Sequence, residues 1–221
     1  MGTPRKRPVR IKTPPPPPTP PKSNPWDRPR QLPAHGDLER DTTYLSVGRA
    51  LSHWERFEAY LAMIYTETIG VRPGQDIPAL RAYGAIISFS GRAEMVEEAT
   101  KAFFFMRPNP GLHSRFDELV EMARGYSARR NDLAHGVVDY HPAYYATDHE
   151  ETSRGHVLLP SEYATKKRVL HSVGLSPVGQ IPLYYYGSEH IDGYAIGFRV
   201  LRTRAAAYLQ LLHLFIASSP S

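Results

Sequence analysis

The run SRFDELVEMARGYSARRNDLAH, Ser114 to His135, decides how the chain is read. Phe116, Leu119, Ala123, Tyr126, Arg130 and Leu133, followed by Val137, recur at alternating spacings of three and four. That is the period of a helix with one face turned to a core. Arg130 is the only member of this stripe that is not apolar. A charge at the margin of a core must find an acid, reach solvent or meet an anion, because leaving it unpaired is costly. Gly136 follows His135 where such a helix would stop.

The same period appears on both sides. Leu45, Val47, Leu51, Trp54, Phe57, Leu61, Ile64 and Tyr65 predict a long helix over 42–69, with Asp41 or Thr42 to cap it and Gly70 to end it. Pro78 suits a first helical turn, and Leu80, Tyr83, Ile86 and Ile87 follow it. Ser88–Gly91 breaks or kinks this region, and Met95, Val96, Ala99, Ala102, Phe103 and Met106 resume the period to about residue 106. Arg107-Pro108-Asn109-Pro110-Gly111 reads as a break. Residues 137–187 lose helical period; Val137–Tyr140, His156–Leu159 and Pro182–Tyr186 look like short strands. A last helix starts near Ser188 and carries apolar residues from Ile191 to Phe215 at helical spacing, ending near 216. The expected fold is all-α, a bundle of four to five helices with a short β-like or irregular insertion at about 137–187 before the last helix.

Residues 1–36 read as a disordered, basic, proline-rich tail, and 37–221 as the folded domain. Residues 1–34 hold 12 of the 21 prolines and eight Lys or Arg against one acid, Asp27. That segment is +7, so of the chain's +5 the remainder carries −2. The basic balance therefore belongs to the tail, and net charge gives no broad nucleic-acid face on the domain. With no cysteine there is neither a disulfide framework nor a thiolate metal site. No apolar run is long enough to span a membrane, the N-terminus lacks the apolar core of a secretory signal, and Lys6 stands where a myristoylation motif wants Ser or Thr. The expectation is a soluble, cytoplasmic protein with no membrane partner.

On a wheel at about 100° per residue with Arg130 at zero, Ala134 falls at about 40°, Asn131 at 100° and His135 at 140°, while Asp132 points away at 200°. Arginine offers a fixed fork of donors for a phosphate. A histidine can trade protons near neutral pH. Asn131 can orient the imidazole or hold a sugar hydroxyl. These are the ingredients of RNA cleavage without a metal: a base on the 2′-hydroxyl and a cation on the phosphorane.

Arg130-Asn131-Asp132-Leu133-Ala134-His135 resembles the motif of the HEPN family, an Arg, a polar residue, a short gap and a His at a helix C-terminus. A long first helix with an inward Trp and Phe, the motif on a later helix and a closing helix extend the resemblance over about 40–217. It implies a metal-independent endoribonuclease that acts on RNA as a homodimer, in a toxin or defence setting with a cognate inhibitor protein. It assigns Arg130, Asn131 and His135 as the catalytic set, with no cofactor and no metal. Val137 stands where toxin-type members carry a Tyr two places after the His, so that form of regulation is not matched. Other members are inactive scaffolds or regulatory modules, and a non-catalytic binding module or plain helical scaffold stays open for this chain.

Context separates the motif from chance. Arg30-Gln31-Leu32-Pro33-Ala34-His35-Gly36 has the same bare spacing, but Pro33 forbids an ordinary helix interior there. In the structural reading of the motif, Glu58 or Glu97 supplies Arg130 with a carboxylate. Asp148-His149-Glu150-Glu151 reads as a solvated acidic loop, Lys166-Lys167-Arg168 with Arg154 as a turn or phosphate-tracking edge, and Phe103-Phe104-Phe105 as core plus surface.

Overall fold

In the computed structural model, which describes residues 23–29, 33–72, 74–140, 155–160 and 184–218, Trp54 is the centre of packing. Its fully buried indole meets Phe57, Phe89 and Phe198 edge-on, with ring centroids 5.4, 4.9 and 5.2 Å away. Those rings come from three helices, so one side chain ties them together. The architecture of the described residues is the expected one: an all-α bundle of five helices with a small antiparallel sheet before the last.

The helices are α1 (Arg40–Thr68), α2 (Ile77–Ala85), α3 (Phe89–Met106), α4 (Pro110–Ala134) and α5 (Ser188–Ser218). The longest, α1 and α5, share the most extensive packing, and α3 and α4 close the core around them. Neither Asp41 nor Thr42 caps α1. The helix already begins at Arg40, and the extended Glu39 before it makes no side-chain cap bond. At the other end Gly70 does what was expected of it, taking a left-handed φ of 72°. The break read at 88–91 lies earlier, between α2 and α3: Ile86 and Ile87, read as helical, fall in it, and the Ser88 hydroxyl accepts from the Gly91 amide at 3.1 Å and starts α3. The break read at 107–111 is shorter than expected. The Asn109 side chain accepts from the Leu112 amide at 3.0 Å and Pro110 fills the first turn, so α4 starts four residues before Ser114.

After α4 the chain turns directly into β1 (Gly136–Tyr140), which pairs antiparallel with β2 (His156–Pro160), Val138 facing Leu158 and Tyr140 facing His156. The other edge of β2 is covered by two isolated bridges, Asp37 to His156 and Leu158 to Tyr186. The Asp37 carboxylate then joins the starts of two helices, accepting from the Thr43 hydroxyl at 2.6 Å, the Ser188 amide at 3.0 Å and the Ser188 hydroxyl at 2.5 Å. Of the region read as tail, residues 23–29 rest on the bundle, where Trp26 lies edge-on to Tyr126 at 5.6 Å. Pro182 and Leu183, in the third strand expected, lie outside the described residues; so do Asp148–Glu151, Arg154 and Lys166–Arg168. Among the described residues no helix is long and apolar enough to cross a membrane.

Gly136 has a different role from the one its position suggested. Its φ is not left-handed. A Cβ there would lie 2.7 Å from Leu158 Cγ and 3.0 Å from the Asp132 carbonyl. It is a close-approach glycine, letting β2 seat its buried Leu158 against the end of α4. Gly136→Ala is therefore expected to destabilise the fold by about 1–3 kcal/mol through overpacking. In a double-mutant cycle read by denaturant unfolding, Gly136→Ala with Leu158→Ala should cost less than the sum of the two single changes; strict additivity would refute the steric account.

Candidate functional site

The last two turns of α4 divide into an inner and an outer set of polar residues. The stripe holds for Phe116, Leu119, Ala123, Tyr126 and Leu133, all buried. Arg130 sits at its edge, with a side chain 26 % exposed. The buried arginine is its neighbour Arg129, and the carboxylate that meets it is Asp132, expected to point away but only 2 % exposed. The wheel was right about direction and silent about what covers that side. Residues 24–28 and 184–186 lie over it and turn an outward position into an interior one.

Asp132 is the hub of that cover. It accepts from the Tyr186 hydroxyl at 3.0 Å, pairs with Arg129 at 3.3 Å, and takes Arg28 Nη2 on both oxygens at 3.3 Å. Arg129 Nη1 also donates to the Tyr186 hydroxyl at 3.4 Å. Burial works against the charge of Arg28, but Asp132 and Tyr186 outweigh it and its pKa rises. Burial, with the charge of Asp132, pushes the Tyr186 hydroxyl well above its ordinary range and keeps it a neutral donor. Arg28 also stacks over Tyr184, 4.1 Å from the ring centre. Just before it, the Asp27 carbonyl accepts from the Tyr194 hydroxyl at 3.1 Å. Trp26 lies on Gly125, where a Cβ would come within 2.5 Å of the indole. Only a glycine lets the indole reach the backbone of α4.

The outer set carries the predicted site. Arg130 Nη1 donates to Asn131 Oδ1 at 3.2 Å, so Asn131 orients the arginine and not the imidazole. Arg130 Nη2 reaches Glu55 Oε1 at 3.4 Å. Glu58 and Glu97, the partners expected for Arg130, are taken by Arg92 and Arg124. Glu55 is 63 % exposed, and an ion pair this open contributes about 0–1 kcal/mol. An incoming phosphate can displace it. Arg130 Nε is buried without a partner among the described residues.

His135 is the C-cap of α4; its amide donates to the Asn131 carbonyl at 3.1 Å and its side chain is exposed. Among the described residues no partner holds its imidazole. Ala134 is exposed between Arg130 and His135, leaving open surface beside both. The three predicted residues thus lie at the end of α4 and its C-cap, Arg130 and Asn131 half-buried and His135 exposed. The copy of the spacing at Arg30–His35 has no helix over Pro33–Gly36, and Arg30 lies outside the described residues.

The residues that position this end, Trp26, Arg28, Arg129, Asp132 and Tyr186, were not assigned that role from sequence; Asp132 was read as pointing away and Tyr186 as part of a strand. Two signals for them were present: a lone Trp in an otherwise polar, proline-rich segment, and an Arg–Asp pair spaced i, i+3 inside the motif. Asp132→Ala would strand the buried Arg129 charge and should cost about 3–5 kcal/mol, whereas Glu55→Ala should cost less than about 1 kcal/mol. Chemical denaturation of the two variants checks this, and equal losses would refute the division into inner and outer sets. No family model, curated protein or solved structure matches the chain.

Proposed function

We propose that this protein is a HEPN-like, metal-independent endoribonuclease of the cytoplasm, acting on RNA as a homodimer in a toxin or defence setting that includes an inhibitor protein. The observation that carries the reading is the open end of α4. There Arg130 is aimed by Asn131 and, among the described residues, held by one weak, exposed carboxylate, while the exposed His135 at the helix end has no side-chain partner among them.

In the reaction, a neutral His135 imidazole takes the proton of a 2′-hydroxyl. The 2′-oxygen then forms a bond to phosphorus as the bond from phosphorus to the 5′-oxygen breaks. The leaving 5′-oxygen takes a proton from a protonated imidazole, supplied by the same histidine of a second copy. The products are a 2′,3′-cyclic phosphate and a 5′-hydroxyl. Arg130 displaces Glu55 to bind the phosphate and offsets the charge that builds on the phosphorane. Asn131 is its positioning residue.

A second reading rests on the same geometry. Arg130 does pair within its own chain and His135 does face solvent, as they would in a module that docks a partner and cuts nothing. RNA cleavage in the presence of a chelator separates the two. The wild-type chain should leave 2′,3′-cyclic ends, and Arg130→Ala or His135→Ala should lose at least about 100-fold in rate while melting like the parent. Full activity in either folded variant would overturn the nuclease reading.

A further inference from the structure

The outward face of α1 leads from Arg130 to a group of cations on its far flank. With Trp54 as the inward zero of a wheel at about 100° per residue, Glu55 lies at about 100°, Ser52 at 160°, Arg56 at 200°, Arg49 at 220° and His53 at 260°. Glu55 touches Arg130 of α4 on one side. On the other side, α5 brings Arg199 and Arg202 up to His53. Burial first, and then the charges of Arg202, Arg199 and Arg49, push the His53 pKa down.

The acids on this flank do not neutralise it. Arg49 pairs with Asp192 at 3.2 Å, both side chains about half exposed. Glu55 faces the Arg130 side, and Glu58 is buried against Trp54 and Arg92. Among the described residues Arg56, Arg199 and Arg202 have no ion-pair partner. Residues 35–221 as a whole are −2, so the gathering of arginines here is local. With Asp192 the one carboxylate paired to the group among the described residues, the like charges repel one another, and a polyanion relieves that repulsion.

We propose that Arg49, Arg56, Arg199 and Arg202, with His53 among them, form a phosphate-tracking surface that holds a single RNA strand running across α1 to Arg130. The inference rests on the nuclease reading for its substrate and extends it to where that substrate lies. A helix with its side chains is about 10–12 Å across. A strand a few nucleotides long therefore reaches from the arginine group to Arg130. Strand contact here is to the backbone, so it fixes position and not sequence.

The test uses the full chain carrying His135→Ala, so that binding is read without cleavage, and a short fluorescein-labelled single-stranded RNA followed by anisotropy across a salt series. Arg199→Ala with Arg202→Ala, and separately Arg49→Ala with Arg56→Ala, should each weaken binding at least tenfold. Each pair should also flatten the slope of log affinity against log salt by about 1.4, at about 0.7 per phosphate contact on a single strand. Arg115→Ala with Arg204→Ala, which line a separate cleft beside Tyr208, should change neither. Unchanged binding in both α1–α5 pairs, or no RNA binding by the parent, overturns the proposal. So does equally tight, salt-sensitive binding of polyglutamate, which would mark an acidic protein as the ligand. The two readings fail separately. RNA held on this surface but never cut by the wild-type chain sinks the nuclease alone; RNA cut with KM unmoved in the arginine pairs sinks the surface alone.

Discussion

A buried carboxylate has to be neutralised, and Asp132 is the carboxylate on which the end of this molecule depends. Taking one charge out of water costs several kcal/mol unless partners surround it. Here the partners come from three places in the chain: Arg129 from the same helix turn, Tyr186 from the segment beside β2, and Arg28 from the N-terminal segment. Satisfying Asp132 therefore forces distant segments to converge on the last turn of α4. Trp26 on Gly125 and Tyr194 on the Asp27 carbonyl extend the same seam by two residues.

That arrangement separates holding from acting. The residues that fix the helix end are buried and mutually bonded, whereas the Arg130–Asn131 and Arg130–Glu55 contacts stand apart from that set. A phosphate can take Arg130 from Glu55 at small cost, because an exposed pair is worth so little. The site's supporting shell keeps its own bonds while that happens. Side chains that must bind and release are best carried on a rigid element whose rigidity comes from other residues. Adjacent positions of one helix, 129 and 130, take the two roles because about 100° of rotation moves a side chain from under the cover to its edge.

The bundle was legible because helical period is a local property. Each apolar stripe from Leu51 to Leu212 reports its own burial, and Ser88 and Gly70 announce their ends through chemistry that acts within a turn. What was not legible depends on parts of the chain far apart in sequence. Asp132 looks outward on a wheel, and only the arrival of Arg28 and Tyr186 makes it interior. Gly136 looks like a helix stop, and only Leu158 shows that it is a gap left for a side chain. Ser114 looked like the start of α4 because a break containing two prolines hides the fact that Pro110 belongs to the helix. The outer site is the intermediate case. Its three residues share a helix end, as spacing requires, but the bond of Asn131 to Arg130 and not to His135 is set by rotamers that spacing does not encode.

Net charge was the least informative number in the sequence. The domain's −2 is a sum over a surface far wider than the distance at which charges act. At physiological salt that distance is about 8 Å, so any charged group near α1 would feel the arginines beneath it and almost nothing of the acids elsewhere. Helix register controls what lies beneath it. The charged residues from 49 to 56 that face outward and toward α5 are Arg49, His53 and Arg56, and Arg199 and Arg202 of α5 act on His53. Glu58 is spent inside, on Trp54 and Arg92. A domain that is acidic overall can thus present a cationic path, because packing chooses which charges are shown together.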